Sequence, residues 1–234
     1  MSKVRYEIVK HQDRLFFHDG EQYVLLDTGF FPSQKGWSTS ISGRIGPFRV
    51  STRPKSFFID VIGLAMPDGG AVTAVFNPMD GYSCLLQGDS ITISDEETEL
   101  PQNGISFDFV HRVLPMIDGR INGQPCRFLF DSGARMTMFG EAELADGGPV
   151  RTYREWMAMM HTWDDLKVYK LSLDLPNGFR YDGEGALVDD PFYRQMAGYM
   201  GIRAMLGIDL FTHYDLAITA KGKRALILYE KTVA

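Results

Sequence analysis

Cysteine is almost missing from this chain of 234 residues, which holds only Cys84 and Cys126. Two thiols so far apart, in neither a CxxC nor a metal-like spacing, exclude a disulfide scaffold and leave two buried reduced side chains as the expectation. Basic blocks are missing too. The formal net charge is −6, so a nucleic-acid or anionic-membrane surface is not indicated. No apolar run approaches the length that spans a bilayer. The opening "MSKVRYEIVKHQDRLFF" has no apolar core of signal-peptide length, and a cytoplasmic location is the expectation. The histidines at 11, 18, 111, 161 and 213 fall in no H-x-x-x-H or H-E-x-x-H spacing, so no metal and no cofactor is expected. "GRIGPF" is followed by neither Lys-Ser/Thr nor a helix and is no phosphate cradle, and no G-x-S-x-G supports serine catalysis. Helical pattern is scarce, with "FYRQMAGYM" at 192–200 the best candidate.

What the chain has in quantity is short strands. "RYEIVK", "RLFFHDGEQYVLLD", "FRVST", "FFIDVIGLAM", "AVTAVF" and "SITIS" are rich in β-branched and aromatic residues and are bounded by Gly, Pro or Asp. Asp19-Gly20, Asn122-Gly123, Asn177-Gly178 and Lys221-Gly222 each separate two apolar runs and predict hairpins. A hydrophobic content of 44% with 23% charged residues suits a globular domain. The expected class is all-β.

The two halves echo each other. Residues 23–29 read "YVLLDTG" and residues 127–133 read "RFLFDSG", with Asp27 and Asp131 separated by 104 residues. Each half also closes on a strand pair, "SITISDEETEL" and "LAITAKGKRALIL". The acidic, turn-rich "DEETELPQNG" at 95–104 suits a connector, which gives lobes of 1–103 and 104–234. A carboxylate at the end of a buried strand is costly unless it is paired or does chemistry. Brought together about a pseudo-twofold axis, Asp27 and Asp131 could not both ionise. They would share a proton, one acting as general base on a water while the other polarises a carbonyl. Gly29 and Gly133 permit a tight backbone turn, and the Thr28 and Ser132 hydroxyls can bond across to the opposite lobe.

On these residues the chain resembles the aspartic peptidases, the pepsin and retropepsin clan. "LLDTG" and "FLFDSGA" match its hydrophobic-hydrophobic-Asp-Thr/Ser-Gly signature, and "RVLPMIDGRINGQPCRFLFDSGARMTMF" looks like the opening of a retropepsin-type domain. "AMLGIDLFTHYDLAITAKGKRALIL" is similar to the family's hydrophobic-hydrophobic-Gly element and closing strands, with Leu206-Gly207 falling beneath the active site. The resemblance implies an all-β, bilobal acid-protease barrel fold of two retropepsin-like lobes. It implies Asp27 and Asp131 as catalytic residues, supported by Thr28, Gly29, Ser132, Gly133 and Ala134. "SISGRIGPFRV" at 40–50 is reminiscent of a flap, making Ser42, Gly43, Arg44, Ile45 and Gly46 candidate substrate-binding residues. The first lobe's Gly element is Val61-Ile62-Gly63 or lies near Gly81, 36 or 54 residues after Asp27. The family usually has Ala or Ser after the Gly: Ala134 obeys, and Phe30 either crowds the water site or points into a specificity pocket.

Two other clusters have bland explanations. Asp182, Glu184, Asp189 and Asp190 lack EF-hand order and read as solvated charges. "REWMAMMHTW" at 154–163 reads as core packing or the second lobe's flap-like hairpin, its Met side chains suiting a cleft for varied apolar residues. The function expected is an aspartic endopeptidase, monomeric because each half supplies one Asp, acting on a peptide or protein. A catalytically silent relative that binds a peptide or protein partner in the cleft is the alternative.

Overall fold

The computed structural model describes residues 2–29, 34–37, 43–54, 66, 68–69, 72–96, 103–111, 113–157, 162–220 and 224–231. The first half supplies β1 (Lys3–His11), β2 (Arg14–His18), β3 (Tyr23–Leu26), β4 (Gln34–Trp37), β5 (Arg44–Ile45), β6 (Phe48–Arg49), β7 (Ser51–Pro54), β8 (Ala74–Phe76), β9 (Ser83–Gln87) and β10 (Ser90–Ser94). The second supplies β11 (Ile105–Asp108), β12 (Met116–Ile121), β13 (Gln124–Phe130), β14 (Thr137–Phe139), β15 (Arg151–Met157), β16 (Thr162–Asp174), β17 (Arg180–Leu187), β18 (Ala204–Leu206), β19 (Tyr214–Thr219) and β20 (Ala225–Glu230), with helix α1 (Pro191–Met200) between β17 and β18. The class is all-β, as the strand-rich sequence leads one to expect.

Turn chemistry sets the hairpins. Asn122 and Gly123 both have positive φ, 49° and 78°, which is the geometry that matches the twist of β12 and β13. Asn177 and Gly178 (61° and 74°) turn β16 into β17, and Gly20 (102°) lies in the turn from β2 to β3. The expected turn at 221–223 lies outside the described residues, although β19 and β20 pair on either side of it. Helix α1 begins where Asp190 accepts from the Phe192 and Tyr193 amides, with Pro191 in the first turn, and stops at left-handed Gly201. Asp189 pairs with Arg194 and Glu184 with Arg151, so the 182–190 acids are a cap and ion pairs.

Each lobe repeats one connectivity. In the first, β3 runs parallel to β8, β8 antiparallel to β4, and β4 parallel to β7. In the second, β13, β18, β14 and β17 pair in the same senses. The sheets nevertheless do not divide at residue 103. An eleven-stranded sheet runs β11-β20-β19-β9-β10-β1-β2-β3-β8-β4-β7, while the second lobe's own sheet has seven strands. The C-terminal hairpin crosses over because β9 needs a partner, and β19 provides it from Leu216↔Leu86 to Thr219↔Ser83. Around that seam the order is palindromic: β1-β10-β9 is mirrored by β11-β20-β19.

One apolar core underlies both lobes, joining Phe17, Leu26 and Phe76 of the first to Phe128, Phe130 and Phe139 of the second. Burying each such ring contributes about 1.5–3 kcal/mol. Ile45 and Phe48 belong to this core, 0% and 2% exposed, and the Phe48 ring packs against Phe76 and Tyr82. Of the residues expected in a flap, Ile45 therefore lies on the core side, while Arg44 and Gly46 are exposed. Ser42 lies outside the described residues, but the apolar pair of 43–50 faces inward. A Cβ on Gly46 would stand 2.1 Å from the Tyr6 hydroxyl, so the turn lies tight against β1. The segment straps the first lobe and does not present Ile45 to a ligand.

Candidate active site

Asp27 and Asp131 leave β3 and β13 at matching places. The Asp27 amide donates to the Phe76 carbonyl (3.1 Å) and the Asp131 amide to the Leu206 carbonyl (2.9 Å), tying each loop to the parallel strand beside it. Each loop then curls on its own acid: the Gly29 amide donates to Asp27 Oδ1 (2.8 Å) and the Gly133 amide to Asp131 Oδ1 (2.9 Å).

The hydroxyl residues cross between lobes. Thr28 Oγ1 donates to the Phe130 carbonyl (2.6 Å) and accepts from the Ser132 amide (3.0 Å). Ser132 Oγ donates to the Leu26 carbonyl (3.2 Å) and accepts from the Thr28 amide (3.0 Å). Thr28 and Ser132 are 1% and 0% exposed, so these four bonds are made out of water.

That grip brings the acids together. A Cβ on Gly29 would lie 2.6 Å from the Asp131 carboxyl carbon, and one on Gly133 would lie 2.4 Å from that of Asp27. Each carboxylate rests on the other loop's glycine, and only the missing side chain leaves room for it. Ala134 is buried behind this pair, its carbonyl accepting from the Ile208 amide (2.9 Å). Phe30 lies outside the described residues.

Sequence reasoning misplaced the first lobe's Gly element. By strand register Leu26 faces Phe76 as Phe130 faces Leu206, so Asn77 stands where the second lobe has Gly207. The segment 61–63 is outside the described residues, and Gly81 is the left-handed cap that follows a turn of 3₁₀ helix at Pro78–Asp80. In the second lobe a Cβ at 207 would meet the Met136 backbone at 2.4 Å, which requires glycine. In the first, the Asn77 amide donates to the Thr28 carbonyl (3.3 Å) and its oxygen accepts from the Met79 amide (2.8 Å). The signal was present: "AVFN" follows Asp27 as "AMLG" follows Asp131, each a short apolar strand ahead of one small residue.

Beside the Asp131 loop sits a buried ion pair that no motif announced. Arg14 and Glu155, 6% and 1% exposed, are joined through Arg14 Nη2 and Glu155 Oε1. Arg135 and Met136 open onto a separate cavity of about 700 Å³, where Tyr181, Asp209 and His213 also lie. Burial pushes the Asp209 carboxyl up to about 7, and its Oδ1 is shut off from solvent with no hydrogen-bond partner among the described residues. Burial also pushes up the Cys126 thiol, to about 12, and raises Cys84, so neither is poised as a nucleophile. Among the described residues no three His, Cys, Asp or Glu side chains gather as a metal site, and no helix is long and apolar enough to cross a membrane.

No protein-family model matches the chain, and no curated protein sequence matches it. Among solved structures, an aspartic proteinase from Irpex lacteus matches with a TM-score of 0.52 at 10% identity, covering 98% of both chains. At that identity the likeness speaks to architecture: this chain has the all-β, two-lobed fold of an aspartic proteinase.

Proposed function

We propose that the protein is an aspartic endopeptidase in which Asp27 and Asp131 activate a water that attacks a peptide carbonyl. The observation that carries this reading is the reciprocal seating of each carboxylate on the opposite glycine, held by the four Thr28 and Ser132 bonds. Two carboxyls so placed share a proton. The ionised member takes a proton from water, and the protonated member donates toward the carbonyl oxygen as a tetrahedral gem-diol forms. No metal or covalent intermediate is needed. The substrate is a peptide or protein bound in extended form, the chain acts as a monomer, and its expected location is the cytoplasm. Ala134 offers no hydroxyl donor that would stabilise the dyad's charge, which supports a mildly acidic to near-neutral optimum.

The experiment is incubation with a mixed peptide library between about pH 3 and 7, with Asp27→Asn and Asp131→Asn alongside. Wild-type cleavage abolished by either substitution is the expected result; cleavage that survives both removes the dyad from the mechanism. The inward-facing strap at 43–50 favours one second reading, a cleft that binds peptide without hydrolysing it. In that case the acids titrate as ordinary, uncoupled carboxyls and a transition-state analogue such as pepstatin does not bind.

A further inference from the structure

Arg14 stands at the start of β2, directly after a two-residue turn in which Gln12 and Asp13 both have positive φ, 48° and 57°. From there it reaches into the other lobe. Its Nε donates to the Gly133 carbonyl at 3.0 Å, and its Nη2 to Glu155 Oε1 at 2.5 Å. Glu155 is saturated in turn: the Tyr153 hydroxyl donates to Oε2 (2.6 Å) and the Trp156 amide to Oε1 (3.0 Å). At the rim, Arg135 pairs with Asp13 at 2.7 Å and lies 4.5 Å over the Tyr153 ring.

A buried ion pair is an expensive way to join two lobes, since apolar side chains of the same volume often do as well. The contact with Gly133 gives this one a different purpose. Gly133 must lack a side chain because Asp27 occupies the space, and a residue without Cβ is the loosest in the chain. Its amide is the donor that orients the Asp131 carboxylate. A guanidinium on its carbonyl removes the rotation that the missing Cβ left free. In the first lobe Asn77 holds the Thr28 carbonyl, one residue before Gly29, the counterpart of Gly133. By register Phe16 faces Leu25 and Met116 faces Leu129, so the second lobe's counterpart of Arg14 is Leu114, which has no such group to offer.

We propose that Arg14, anchored by Glu155, is a positioning residue for Asp131: it locks the Gly133 peptide and thereby the orientation of the second carboxylate. This rests on the peptidase reading. A double replacement separates the role from simple stabilisation. Arg14→Met alone takes the close partner from the buried Glu155 charge and lowers Tm, whereas Arg14→Met with Glu155→Gln removes both charges, keeps a polar partner for the Tyr153 hydroxyl and the Trp156 amide, and returns Tm to within a few degrees of wild type. The double variant is expected to show kcat about tenfold or more below wild type with KM nearly unchanged. Amide hydrogen exchange across 131–135 is expected to be at least about tenfold faster. Arg14→Lys, with one point charge in place of the fork, falls between. A double variant with wild-type kcat and exchange overturns the inference, because the pair would then be structural only. Should the double variant not fold, wild-type kcat and exchange in Arg14→Lys overturns it equally. If the wild-type protein cleaves nothing, the peptidase reading fails while exchange at 131–135 still decides whether Arg14 holds the loop.

Discussion

A methyl group added at Gly133 would stand 2.4 Å from the Asp27 carboxyl carbon, well inside contact distance. Gly133→Ala is therefore expected to force the acids apart, with kcat/KM falling by two orders of magnitude or more and a transition-state analogue losing its affinity. Thr28→Val keeps the shape and deletes the hydroxyl, stranding the Phe130 carbonyl and the Ser132 amide. Each buried orphan costs about 1–3 kcal/mol, readable as a shift in the urea midpoint. Asp209 makes a pH-dependent contribution. Its carboxyl is raised from 3.8 to about 7, so between those values the folded state binds more protons than the unfolded one. Stability is then fully present below about pH 4 and declines as pH rises toward 7. Asp209→Asn is expected to match wild type near pH 4 and exceed it above pH 7, by on the order of 4 kcal/mol at most. Equal Tm values at both ends would show that Asp209 titrates normally. At this scale the sequence was only half legible. The twin Asp-Thr/Ser-Gly motifs announce themselves by pattern. Arg14 and Glu155 lie 141 residues apart and meet only through the fold, and each by itself reads as an ordinary surface charge.

Among the elements, the β5–β6 hairpin shows why pattern and placement differ. A glycine-rich turn flanked by Ile45 and Phe48 reads the same whether its apolar pair faces a cleft or the core. Here Tyr6, Phe76 and Tyr82 are waiting on the inner side, and the aromatic contacts decide the direction. Ile45→Ala is expected to cost about 2–5 kcal/mol in chemical unfolding while leaving KM close to wild type. A flap residue would do the reverse, with a changed KM and an intact Tm. The segment 154–163, read as core packing or a flap-like hairpin, belongs to the long hairpin of β15 and β16, where cross-strand Trp156 and Trp163 sit on one face with ring centres 5.7 Å apart. Turn dipeptides were the best local guide of all. Asn122-Gly123 and Asn177-Gly178 adopt the positive φ that their side chains tolerate.

Over the whole molecule, the duplication visible as two distant motifs appears as one connectivity used twice and a sheet shared about a seam. Both acids belong to one polypeptide, so specific activity is expected to hold constant on dilution; activity that falls with the square of concentration would point to a dimer. The common core and shared sheet also predict a single cooperative unfolding transition, with both lobes lost together. Which strands the lobes exchange was not readable from composition or periodicity. Pairing between β9 and β19 joins residues more than a hundred positions apart, and either strand could have served as an edge of its own lobe.

The seam has a consequence for biosynthesis. Residues 83–87 leave the ribosome long before 214–219, the segment that hydrogen-bonds to them, so a growing chain carries an open strand edge until that segment follows. Leu85 and Leu86 lie on that edge, and the nascent protein is exposed there to wrong pairing until its last hairpin emerges.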